Sequence, residues 1–155
     1  MGVLYDGAGF RKMQLGIMVE RATATLPQKT AGALFNVVGG RVAITQIVGQ
    51  VTTAIQAQAN NTKLIANPTT GTSVDMCAVL DIASDEVGTL YGISGTISND
   101  DAMIGINAGL VPAQLRDVIV NVGSIDLSCS ASNTGSVKWV LFYYPIDDGA
   151  YVEAA

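Results

Sequence analysis

The sequence predicts an all-β domain: a two-sheet antiparallel sandwich, jelly-roll-like, with an N-terminal arm. Three observations carry this expectation. No apolar run of helical length follows Thr30; eight or more short stretches rich in Val, Ile, Thr and aromatic residues succeed one another; and Gly, Pro, Asn, Asp or Ser closes each. Strands this short bury their apolar faces only by stacking two sheets or closing a barrel.

Residues 1–25 read as the arm and residues 26–155 as the sandwich. Phe10, Met13, Ile17 and Met18 recur at helical spacing with Arg11, Lys12, Glu20 and Arg21 around them, while Gly7, Gly9 and Gly16 weaken a helix. The arm is expected to be partly helical or extended, ordered either against a neighbouring molecule or as a first helix on its own domain. From Ala31 the period becomes two. Phe35 and Val37, then Gly39-Gly40, then Val42 and Ile44 read as a hairpin, because glycine supplies the positive φ of a tight turn. The run 41–57 is long for one flat strand, and Gly49 in its middle is the expected bulge or bend. Asn60-Asn61 predicts a second hairpin into 62–66, ended by Asn67-Pro68. Further strands are expected over 74–81, 89–96, 103–109, 117–122, 124–130 and 136–144. The last is apolar on both faces, with Val137, Trp139, Leu141 and Tyr143 alternating with Lys138, Val140, Phe142 and Tyr144, so it belongs at the centre of a sheet or under a subunit interface.

Charged residues make up 14% of the chain and apolar ones 49%, against about a quarter charged in ordinary domains, and mean hydropathy is +0.39. Such a surface implies cover by other subunits, and a homo-oligomer is expected. The net charge of −5 opposes binding to phosphate backbones, so no nucleic-acid partner is expected. That charge is uneven: residues 1–50 carry five bases against two acids, a net of +3, and the rest carries −8. A basic leading segment before an acidic body reads as a docking arm.

Catalytic chemistry is scarce. With no histidine, neither a Ser-His-Asp nor a Cys-His site can be assembled. The acid pairs Asp85-Glu86, Asp100-Asp101 and Asp147-Asp148 fall in predicted loops, where solvated turn formers are the ordinary reading and a glycosidase pair or Ca²⁺ site the rarer one. Gly7-Ala8-Gly9 begins like a dinucleotide fingerprint but has Lys12 where the third glycine belongs. Cys77 and Cys129 sit in apolar runs without Cys-x-x-Cys spacing and read as small buried hydrophobes. Asn60-Asn61-Thr62 fits a glycosylation acceptor but reads as a turn. No run is long and apolar enough to cross a bilayer and no secretory leader is recognisable, so neither a membrane partner nor export is expected, and maturation in a reducing cytoplasm is. Neither cofactor nor metal is expected, and the chain reads as an assembly protein rather than an enzyme. Its candidate interface residues are Phe10, Arg11, Lys12, Met13, Ile17 and Met18 in the arm, with the aromatic cluster Trp139, Phe142, Tyr143 and Tyr144.

Several phrases carry a resemblance: Thr23-Ala24-Thr25-Leu26-Pro27-Gln28, Gly39-Gly40-Arg41-Val42, Ile47-Val48-Gly49, Gln58-Ala59-Asn60-Asn61-Thr62-Lys63-Leu64, Asn67-Pro68-Thr69-Thr70-Gly71-Thr72 and Gly135-Ser136-Val137-Lys138-Trp139. From about Thr23 to Asp148 the chain resembles small structural virion proteins of tailed bacteriophages; residues 1–22 lie outside the resemblance. The resemblance implies a capsid decoration (cement) protein, a β-sandwich and commonly a homotrimer, made in the host cytoplasm and bound to the major capsid protein on the shell exterior. A tail-tube or head-tail connector protein is the alternative within the class, and a carbohydrate-binding module the alternative outside it.

Overall fold

The computed structural model describes residues 6–93, 103–107 and 117–155, with backbone only at Ile104, Ile106 and Asn107. The chain opens with helix α1 (Gly7–Leu15), followed by strands β1 (Ile17–Thr25), β2 (Ala31–Val38), β3 (Val42–Thr53), β4 (Asn61–Pro68), β5 (Val74–Asp75) and β6 (Leu80–Asp81). Strands β7 (Thr89–Ile93), β8 (Met103–Asn107), β9 (Val118–Val120), β10 (Gly123–Cys129), β11 (Ser136–Pro145) and β12 (Tyr151–Ala154) complete it.

Two antiparallel sheets pack face to face. The first runs β1-β11-β3-β7-β8, with β9 also pairing β3; the second runs β12-β2-β10-β4-β5, with β6 also pairing β4. In chain order, β1, β2, β3, β4, β5, β7, β10 and β11 pair as mirror images about the middle of the series: β1 with β11, β2 with β10, β3 with β7, β4 with β5. This is a long hairpin wrapped into two four-stranded layers, the jelly roll. Between the layers lies one core, built from Phe35, Ile44, Ile47, Leu64, Tyr91, Ile125, Leu127, Trp139 and Leu141 with their neighbours. Cys77 and Cys129 are buried, with no disulfide between them.

The structure corrects several sequence expectations. Residue 25 is not a boundary: the expected arm splits at Gly16, and Ile17–Thr25 pairs with β11 along its length as a strand of the sandwich. Gly39-Gly40 does not make a hairpin, because β2 and β3 lie in different sheets; it is a corner that carries the chain across the core. Asn60-Asn61 is a second corner, from β3 to β4. Gly49 keeps regular register opposite both Trp139 and Tyr91. The extra residues of β3 are instead Thr52 and Thr45, skipped between the pairs to Ser136 and Val137 and between those to Phe142 and Tyr143. The hydroxyl of Thr45 donates to the Leu15 carbonyl at 2.5 Å and that of Thr52 to the Ser136 carbonyl at 3.2 Å, so each bulge gains a fixed contact. The expected strand 74–81 is two pairs, β5 and β6, flanking a buried Met76-Cys77. Residues 94–96, 108–109 and the acid pair Asp100-Asp101 lie outside the described residues.

Candidate interaction surface

Alternation fixes what each sheet shows to solvent. On β1, Val19 packs on the core, so Met18 and Glu20 face outward, opposite Phe142 and Val140 of β11. Glu20 also meets Lys138 at 2.9 Å across the same face. With Val48 on β3 and Leu90 on β7, the outer face of the first sheet carries an apolar set crossed by one ion pair.

Helix α1 sits at the edge of this sheet. Asp6 caps it, its carboxylate accepting from the Gly9 N–H at 2.8 Å, and Gly16 ends it at φ +91°. No larger residue fits at Gly16, since a Cβ would meet the Tyr143 carbonyl. None of the helix residues is buried, and Met13 is 67% and Phe10 62% exposed. A nine-residue helix holds little stability of its own in water, so α1 depends on its cap, its Leu15–Thr45 contact and whatever packs on its apolar side. Arg11 and Lys12 are exposed and make no ion pair among the described residues. Between the helix end and the sheet lies a groove of about 420 Å³ lined by Lys12, Met13, Thr45, Asp117 and Tyr144. The Tyr144 hydroxyl donates to Asp117 at 3.1 Å, and that hydrogen bond raises its pKa, so it stays a donor at neutral pH.

The candidate interface residues therefore divide. Phe10, Arg11, Lys12, Met13, Ile17, Met18 and Tyr144 are on the surface, and the structure gathers them at one edge. Trp139 and Tyr143 are core residues, because they alternate with Lys138 and Phe142 onto the inner face. Phe142 points outward but is 8% exposed, between Met18 and Gln46 in the register. Those three aromatics stabilise the sandwich and offer no free surface. Sequence reasoning missed Ile119 and Ile146, both exposed near Tyr144; Ile119 shares with Tyr144 the register partner Ala43.

No protein-family profile, curated protein or solved structure matches this chain. Function must be read from the surface itself.

One acid of each described pair, Asp147 and Asp85, has a structural partner. Asp147 accepts from the Arg41 backbone N–H and guanidinium at 2.7–2.9 Å, locking the Gly40 corner to the turn before β12. Asp85 accepts from the Tyr91 hydroxyl at 2.6 Å; burial raises its carboxyl pKa, with that hydrogen bond opposing. Asn60 is fully buried and its carbonyl oxygen accepts from Ala131 N–H, so its amide is out of reach of any modifying enzyme. Among the described residues, no three acidic or thiol side chains converge as metal ligands.

Proposed function

We propose that this chain is a structural virion protein of a tailed phage, a capsid decoration protein that stabilises the shell by binding the major capsid protein, without catalysis. The observation that carries this reading is the edge formed by α1, β1 and the end of β11. Exposed Met13, Met18, Ile17, Phe10 and Tyr144 lie beside Arg11 and Lys12, which make no ion pair among the described residues. Apolar side chains ringed by charge are the composition of a protein interface. Many copies on a repeating lattice make modest single contacts tight, so no deep pocket is required.

The open edge of β1 favours a second reading, a ring of subunits joined sheet to sheet as in a tail tube, because an edge strand presents unpaired N–H and C=O groups. Cosedimentation of the purified chain with mature capsids of the phage that encodes it separates the two. Saturable binding in a fixed ratio to capsid subunits is expected, weakened about tenfold or more when residues 7–15 are removed. Folded protein that ignores shells but forms rings points to the tail, and binding to glycans alone points to a carbohydrate module; either result ends the decoration reading.

A further inference from the structure

The edge described above is basic and apolar, and a second surface of the same molecule is its complement. On the outer face of the second sheet, register sets Glu153, Asn36, Ser124 and Asn67 side by side across β12, β2, β10 and β4. Strand spacing makes this row about 14 Å long. A groove of about 480 Å³ opens over it, with Val38, Val122 and Pro68 as its apolar walls. Strands β2, β10 and β12 together carry two acids and no base, Asp126 and Glu153. Glu153 is exposed and in no ion pair among the described residues. Asp126, one row along from Ser124, is 7% exposed; one of its oxygens accepts from Asn67 at 3.1 Å and the other has no hydrogen-bond partner. The one base of the adjoining strand β4, Lys63, is already paired with Asp75 at 2.5 Å. The groove is thus a negative, partly apolar depression, and α1 is a positive, partly apolar projection.

We propose that the groove receives α1 of a second copy of this chain. Arg11 and Lys12 of one copy lie against Glu153 of the next, over the field of Asp126, and Met13 fills the space between Val38 and Val122. The donor lies at the β1 edge of the first sheet and the acceptor on the outer face of the second, which begins at β12. Repeated head to tail the contact is heterologous and closes as a ring; exchanged reciprocally it makes a dimer. The inference rests on the assembly reading above but gives α1 to a neighbouring copy, leaving Ile17, Met18 and Tyr144 of that edge for the shell, and it needs no capsid.

The test is charge exchange in the full chain, read by sedimentation velocity across a concentration series, with circular dichroism to verify folding. The native chain should self-associate, less so at 1 M salt. Arg11→Glu with Lys12→Glu should weaken association about tenfold, and Glu153→Lys alone should weaken it in the same direction. The chain carrying all three changes should regain it, as should a mixture of the two weakened variants. A native chain that stays monomeric throughout, or a triple variant that folds and does not recover, overturns the proposal. Loss of capsid binding with self-association intact would sink the shell-docking role of the edge and leave this contact standing.

Discussion

At Gly49 the first sheet makes room for its largest side chain. Trp139 on β11 and Tyr91 on β7 flank this glycine in register, and their rings meet over it with centroids 6.2 Å apart and planes 25° from parallel. A Cβ on Gly49 would stand 2.8–3.0 Å from the indole. Gly49→Ala should therefore destabilise by about 1–3 kcal/mol through overpacking. Trp139→Ala should cost about 3–5 kcal/mol. In urea denaturation the double variant should cost clearly less than the sum, because removing the indole removes the clash. A glycine inside a strand advertises either a bulge or a close approach, and the sequence alone cannot choose, since the ring that needs the space lies ninety residues further along the chain, at Trp139. Asp147 offers a second test at this scale. Hydrogen bonds from the Arg41 side chain and then its backbone hold the carboxyl at about 2, below the ordinary unfolded value of about 3.9. Its contribution to stability is therefore complete above about pH 4 and is lost as pH falls toward 2. Asp147→Asn should flatten the stability curve of the native chain across that window, measured by denaturation at a series of pH values; parallel curves would show that the carboxylate contributes nothing.

Among the elements, α1 and β1 are neighbours in sequence with opposite standing in the fold. The helix buries nothing, whereas β1 covers one flank of β11 and lays Val19 on the core. Removing residues 1–15 should shift the calorimetric melting temperature little. Removing 1–25 should lower it by about 10 °C or more, or abolish cooperative unfolding. Equal effects of the two truncations would contradict the placement of β1. That strand was illegible in sequence because its outward half carries Glu20 and its inward half Arg21, which blurs the alternation. Arg21 is opposite Trp139 and so points inward, its Nε buried without a hydrogen-bond partner. An inward cation on an edge strand makes pairing with a foreign strand costly, which weighs against the ring reading of the β1 edge. Strand β12 was missed for brevity, four residues after a turn. Most other strands were legible by alternation and turn residues, though the corners were not. The turn chemistry of Gly39-Gly40 and Asn60-Asn61 is the same whether the next strand joins its own sheet or the opposite one, and only distant pairing decides between them.

Taken whole, the molecule has two unlike exteriors. One sheet shows Met18, Val140 and Val48 with a cationic helix at its edge; the other shows amides, hydroxyls and the exposed carboxylate of Glu153. The arm half of the candidate surface was legible because exposed apolar and basic residues sit together in sequence. The acidic half was not, since Asn36, Asn67, Ser124 and Glu153 come from four distant stretches that only the register brings side by side. The mirrored pairing also has a consequence in time. The first strand waits for the last long one: β1 emerges from the ribosome early, but its partner β11 ends at Pro145. Until nearly the whole chain is made, neither sheet can be completed, and the apolar side of every early strand is exposed in the crowded cell where the protein is synthesised. Pairings this distant in sequence fold slowly. The thin charge of this chain makes its synthesis the moment of greatest exposure to aggregation.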